Sequence, residues 1–314
     1  MIPKIFVTIS ALTTIFLGLL MFPLTAHAQA GRSITIIPPK FELFGNPGDT
    51  LPEQIRVKNN SDVPATYSII VEDFTTSGEE GQVVIEGESE STSYSLGNWI
   101  ETESQDLILQ PNEEKTVSFL ITIPRNAEPG GHYASILFQS GGEQVPGSAA
   151  VSQRVGSLIL LRVSGNVTED ADVESFTVPS YSQSGPIDFT LRVKNNGNVH
   201  MIPQGTIIVE NILGQKVAEL PIDSRNVLPG AIRKMDTVWD KKSLLGRYKA
   251  TMIASYGQGA QKKSLTAVTD FTVASPLAII LITVGIIAAV VLLIALVAGR
   301  KRFSKAFKMM TTGK

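Results

Sequence analysis

Apolar and polar residues alternate through most of this chain. Val117, Phe119, Ile121 and Ile123 interleave with Thr116, Ser118 and Thr122, and Ile187, Phe189, Leu191 and Val193 interleave with Asp188, Thr190, Arg192 and Lys194. A period of two sends successive side chains to opposite faces, so each run predicts a strand with one buried face. Almost no 3.6-residue periodicity appears between residues 33 and 274. Turn formers punctuate the runs at Asn46-Pro47-Gly48-Asp49, Asn59-Asn60-Ser61-Asp62, Pro129-Gly130-Gly131, Asn195-Asn196-Gly197-Asn198 and Pro229-Gly230. Many short strands between frequent turns predict an all-β sandwich.

The pattern occurs twice. Ile55-Arg56-Val57-Lys58-Asn59-Asn60 returns as Leu191-Arg192-Val193-Lys194-Asn195-Asn196, and Ile69-Ile70-Val71-Glu72 returns as Ile207-Ile208-Val209-Glu210. Pro111 has a counterpart in Pro229, and Gly131-His132-Tyr133 in Gly246-Arg247-Tyr248. Two tandem immunoglobulin-like β-sandwich domains are therefore expected, at 33–165 and 166–274, with the seam near Ser164-Gly165-Asn166. Only the first contains the segment Thr75 to Asn98, rich in Ser, Gly and Glu, with Val83, Val84 and Ile85 as a short strand inside it. Long loops on a compact sandwich concentrate function, so this one is expected to be dispensable for stability.

The two ends break the alternation. Lys4, an apolar run from Ile5 to Met21 and the small-residue site Ala26-His27-Ala28 read as a signal peptide over 1–28, cleaved after Ala28 or Ala30. Leu277 to Ala298 carries no charge and only Thr283 as a polar side chain. At ~1.5 Å per residue that stretch covers about 33 Å, enough for a hydrocarbon core, and a single transmembrane α-helix is expected at 276–298. The basic tail at 299–314, with Arg300, Lys301, Arg302, Lys305, Lys308 and Lys314, marks the cytoplasmic side. The expected topology is type I, single-pass, with the sandwiches outside the plasma membrane.

Charge narrows the partners. Leaving out Lys4 and the six tail cations, 20 basic residues face 29 acidic ones, a balance of −9 that excludes nucleic acid as a natural ligand. The chain has no cysteine, so each sandwich must be held by its core alone and thiol chemistry is absent. No catalytic site, metal site or cofactor is expected. His132 and His200 sit in no zinc spacing, and no Gly-x-Ser-x-Gly or Asp-x-Asp-x-Asp run occurs. Glu79-Glu80, Glu101 with Glu103, and Glu113-Glu114 are carboxylate pairs in polar, turn-like surroundings, which reads as solvated surface rather than acid catalysis. A Lys–Asn cross-link at Lys58 or Lys194 is disfavoured, because alternation turns both lysines to the polar face.

The candidate ligand contacts are Tyr94 and Trp99, which flank Gly97-Asn98, together with Glu79 and Glu80. Aromatic rings offer large, rigid contact area, although Trp99 packed in the core is an equal reading. The acidic charge of the same segment, with Glu86, Glu88 and Glu90, favours a neutral or amine-bearing glycan, or a basic protein.

Asn46-Pro47-Gly48, then Ile55 to Asp62, then Val71-Glu72-Asp73-Phe74-Thr75-Thr76, then Leu109 to Phe119 resemble, in order, the peptidoglycan-binding domain of the WxL-interacting proteins of monoderm bacteria. The resemblance covers about 45 to 140; the second domain looks more like a repeat of the first than like that family's partner-binding domain. It implies a non-enzymatic surface protein that binds peptidoglycan or another cell-wall glycan, or a surface protein. A purely structural stalk and a wall hydrolase or transpeptidase are the alternatives.

Overall fold

The computed structural model describes residues 33–86, 93–141, 152–258 and 262–312. The expected signal peptide, Glu88 and Glu90 lie outside them.

The first sandwich is built from β1 (Ile34–Ile37), β2 (Lys40–Gly45), β3 (Thr50–Asn59), β4 (Ala65–Ser77), β5 (Gln82–Glu86), β6 (Ile100–Thr102), β7 (Asp106–Leu109), β8 (Glu114–Thr122), β9 (Gly130–Ser140) and β10 (Arg154–Val163). One sheet has the order β1-β3-β8-β6, and the other β2-β10-β9-β4-β5, with β7 also on β4. The second sandwich comprises β11 (Ala171–Thr177), β12 (Tyr181–Ser182), β13 (Ile187–Asn195), β14 (Gln204–Asn211), β15 (Lys216–Pro221), β16 (Ile232–Trp239), β17 (Gly246–Tyr256) and β18 (Lys263–Val273). Its sheets run β11-β13-β16 and β12-β18-β17-β14-β15.

The two orders coincide strand for strand, apart from β6 and β7, which have no counterpart among the described residues. In both, the first strand divides between the sheets. β1 pairs antiparallel with β3, then the chain crosses at Pro38-Pro39 and β2 runs parallel to β10. Likewise β11 pairs with β13, and β12 runs parallel to β18. A shared strand ties the layers together without a disulfide.

Alternation placed the core correctly. Ile55, Val57, Val117, Phe119, Ile121 and Ile123 meet inside the first sandwich, and Ile187, Phe189, Leu191 and Val193 inside the second. Each such side chain contributes roughly 1.5–3 kcal/mol on burial. Where the repeat reads Lys-Asn-Asn, the first asparagine is buried in both copies. The Asn59 amide donates to the Val63 carbonyl at 2.9 Å and the Gln110 carbonyl at 3.1 Å, and its oxygen accepts from the Ser61 N–H at 3.0 Å. Asn195 donates to the Val199 and Val227 carbonyls at 2.8 Å and accepts from the Gly197 N–H at 2.8 Å. One side chain thus latches two turns together at one end of each sandwich.

A helix, α1 (Pro276–Thr312), follows β18 after two residues. Its segment Ile279–Leu296 has a mean hydropathy of 3.3 and none of it is buried against the rest of the protein. An apolar helix left uncovered in this way suits a membrane by length and composition. The helix runs on beyond residue 298 into the basic residues, where Lys, Arg, Ala and Met favour it.

A candidate binding cleft beside the inter-domain joint

The acidic pair Glu79 and Glu80 sits at the tip of the β4–β5 hairpin. β9 pairs with β4 only as far as Asp73, so the hairpin from Phe74 onward projects beyond its own sheet toward the second sandwich. There the Glu79 carboxylate grips the Arg192 guanidinium with two hydrogen bonds, one from Nε at 2.7 Å and one from Nη2. The Lys234 N–H, on edge strand β16, donates to the Glu79 carbonyl at 2.8 Å, and Lys234 Nζ lies 3.4 Å from Glu80. The Arg192 hydrogen bond holds the Glu79 carboxyl below the usual carboxylate range, and the same bond raises Arg192. Gly81 passes over Arg233 so closely that a Cβ would fall 1.1 Å from Nη1, and its φ of +62° also requires glycine. Both carboxylates are turned toward cations of the second sandwich; they do not face an open cleft.

Behind the hairpin, Phe74, Tyr133 and Leu160 of the first sandwich pack on Leu228 of the second. The Tyr133 hydroxyl accepts from the His200 N–H at 2.9 Å and lies 3.4 Å from His200 Nδ1. Burial raises the Tyr133 hydroxyl and pushes the His200 imidazole down to about 4, with Arg162 and Lys40 adding to the effect on His200 and Glu42 opposing it. Two further bonds close the rest: the Gly131 N–H donates to the Asn198 carbonyl at 2.8 Å, and the Asn198 side-chain amide donates through Nδ2 to the Pro129 carbonyl at 3.0 Å. An Arg162–Glu169 ion pair, largely buried, bridges the connection between the sandwiches.

Trp99 follows the segment 93–98, which is anchored on β4. The Asp73 carboxylate accepts from the Leu96 N–H at 2.9 Å, the Gly97 N–H at 2.6 Å and the Ser95 hydroxyl. His132, the third residue of the central strand β9, is buried. Its Nδ1 lies 3.1 Å from the Ser95 carbonyl and its Nε2 2.9 Å from the Glu128 carbonyl, so whichever ring nitrogen carries the proton donates to main chain. The Trp99 ring packs on the His132 ring at 4.4 Å between centroids. One side of the indole packs against the first core, as the core reading of Trp99 expects. The other side helps line a cleft of about 340 Å³ with Ser93, Ser95, Asn98, Asn126, Glu128 and His132.

Tyr94 does not join Trp99 there. Its carbonyl accepts from the Tyr133 N–H at 2.9 Å and its half-exposed ring lies 6.3 Å from that of Tyr133, beside the joint. The four expected contacts therefore divide: Trp99 in the cleft, Tyr94 against the joint, and Glu79 with Glu80 across it. Asp73, Ser95 and His132, which hold the cleft in shape, carried no sequence signal, because the contacts that join them across β4, the 93–98 segment and β9 span 22 to 37 positions of chain. Glu53, Glu101 and Glu103 line a larger groove of about 800 Å³ along β3, β8 and β6. Among the described residues no group of His, Asp and Glu is arranged to hold a metal ion.

No family model and no curated protein matches the sequence. Among solved structures, the chain is similar to one from a chaperone–tip adhesin complex of CFA/I fimbriae, at 12% identity and a TM-score of 0.42 over 77% of this chain and 100% of that one. It is similar to the class 5 fimbriae chaperone CfaA at 12% identity and a TM-score of 0.40, over 76% of this chain and 99% of that one. The Pseudomonas aeruginosa CupB2 chaperone matches at 9% identity and a TM-score of 0.35, over 76% of this chain and 100% of that one.

Proposed function

We propose that this chain is a non-enzymatic protein of a bacterial cell surface, held in the plasma membrane by α1 in a type I orientation, whose first sandwich binds a cell-wall glycan. The Trp99 cleft carries this reading. An indole face fixed by the core on one side and ringed by Asn98, Asn126 and Ser95 on the other offers what a sugar ring needs: an apolar platform with hydrogen-bonding groups at its rim. The resemblance of residues 45–140 to the peptidoglycan-binding domain of WxL-interacting proteins points to the same ligand.

The test is retention of the detergent-solubilised full-length protein on purified peptidoglycan. Trp99→Ala should reduce retention at least tenfold, whereas Tyr94→Ala should change it little. Equal retention of the parent and Trp99→Ala would remove the cleft from the function. A second reading, a stalk that presents other components, is favoured by the joint, where ion pairs, main-chain bonds and apolar packing fix one sandwich on the other. Loss of all wall retention by the parent itself would support it.

A further inference from the structure

The turn between β14 and β15 carries two adjacent large aliphatic residues at its tip, Ile212 and Leu213, which are 78% and 76% exposed. Hairpin tips are ordinarily polar, and side chains this exposed bury nothing within their own domain. The tip is also stiff. The Asn211 side-chain oxygen accepts from the Leu213 and Gln215 N–H groups at 3.0 Å, and the Gly214 N–H donates to the Asn211 carbonyl at 2.9 Å. Two aliphatic side chains are held outward by a turn that cannot fold them back.

Register shows where they point. Asn211 is level with Tyr248, and Tyr248 with Phe271, so the tip lies at the end of the sandwich from which β18 leaves for α1. Counting along the strands and the first helical turn, Leu213 is within about 10 Å of the level of Leu277, where the apolar segment begins. The interfacial layer of a bilayer is roughly 5–8 Å thick on each side. Leu245, 54% exposed, precedes Gly246, which pairs with Val273 at the same rim. Tyr181, 49% exposed, pairs with Thr272 and donates its hydroxyl to the Ala274 carbonyl at 2.6 Å. Lys241 and Lys242 are exposed in the connection that crosses this rim, against one acid, Asp240. The rim is thus apolar and cationic on an exported region that is otherwise acidic.

We propose that this rim is a lipid-docking surface, with Ile212 and Leu213 entering the interfacial layer of the outer leaflet and Lys241 and Lys242 meeting its phosphates. The occupant is the bilayer because the only covalent continuation of this rim is the helix that the bilayer would hold; the inference therefore rests on the membrane-anchored reading. Docking at the tip as well as at the helix turns a two-residue tether into a two-point stand and sets the sandwiches upright on the surface.

The chain has no cysteine, so one introduced thiol reports one place. Full-length Leu213→Cys, labelled with an environment-sensitive fluorophore, is reconstituted into phosphatidylcholine–phosphatidylglycerol vesicles with and without lipid spin-labelled near the headgroup. Ile253→Cys, exposed on β17 about 20 Å higher, is the control. Docking predicts blue-shifted emission at position 213 and its quenching by the spin label, with neither at 253. A water-like, unquenched signal at 213 in protein that stays with the vesicles through an alkaline carbonate wash overturns the docking while leaving the anchor intact. A blue shift without quenching means a second copy covers the tip, which also overturns it. Protein washed off by carbonate overturns the anchor and the docking together.

Discussion

Asn59 and Asn195 show how much one side chain can carry. Each is buried, and each donates to main-chain carbonyls of two separate turns while its oxygen accepts from the N–H two residues on. Asn59→Ala is expected to cost about 1–3 kcal/mol, because the buried Ser61 N–H loses its acceptor and the Val63 and Gln110 carbonyls each lose one of their donors. Lys58→Ala, one residue earlier and exposed, should stay within about 0.5 kcal/mol. Urea denaturation of the two variants checks this, and equal midpoints would contradict the latch. His200 sets a pH dependence. Its folded value near 4 lies below the usual 6.5, so between the two the unfolded chain binds a proton that the folded chain refuses. Stability at the joint should therefore rise with pH across that window and be lost as pH falls from about 6.5 to about 4. The charged groups facing the ring are Glu42, Arg162 and Lys40. Thermal midpoints recorded from pH 4 to 7.5 should show this slope in the parent and a flatter one in His200→Gln.

The β4–β5 hairpin changes role between sequence and structure. As an unrepeated, Ser- and Glu-rich segment it was expected to be removable without affecting stability. Folded, its base contributes Phe74 and Ile85 to the joint and its tip pairs with Arg192 and Lys234. Replacing Ser77–Gln82 by a short Gly-Ser turn should leave both cores intact but free the sandwiches from each other. Limited proteolysis would then cut between Val163 and Ala171 faster than in the parent, and unchanged cleavage would argue that the apolar packing alone fixes the joint. Gly81→Ala should act in the same direction, because its Cβ displaces Arg233 and strains a positive φ.

Over the whole molecule the charge is unevenly shared. The first sandwich, 33–165, has 7 basic and 18 acidic residues, and the second, 166–274, has 12 and 11. A basic protein drawn to the first sandwich would be released as salt shortens the Debye length to about 3 Å at 1 M. A glycan stacked on Trp99 would not. Wall retention is accordingly expected to survive 0.5 M NaCl; its loss would transfer the assignment to a protein partner. Protease added to intact spheroplasts should degrade the sandwiches and spare a C-terminal tag, and the opposite result reverses the orientation.

Alternation and repetition are local properties, and they were enough to give the all-β class and the inward-facing positions of several core strands, while an uncharged apolar run marked the helix. Ile55 and Leu191 face inward because a period of two leaves them no other face. Trp99 was named a contact candidate on local grounds as well, as a large ring beside a glycine turn. What each charged or polar side chain meets was decided only by the fold, since its partner lies far away in sequence. Glu79 finds Arg192 across 113 positions, and His132 supports the cleft through the Ser95 carbonyl 37 positions away. Composition makes Glu79 look solvated and says nothing of what His132 meets; the projection of one hairpin and the depth of one central strand make them a clasp and a strut.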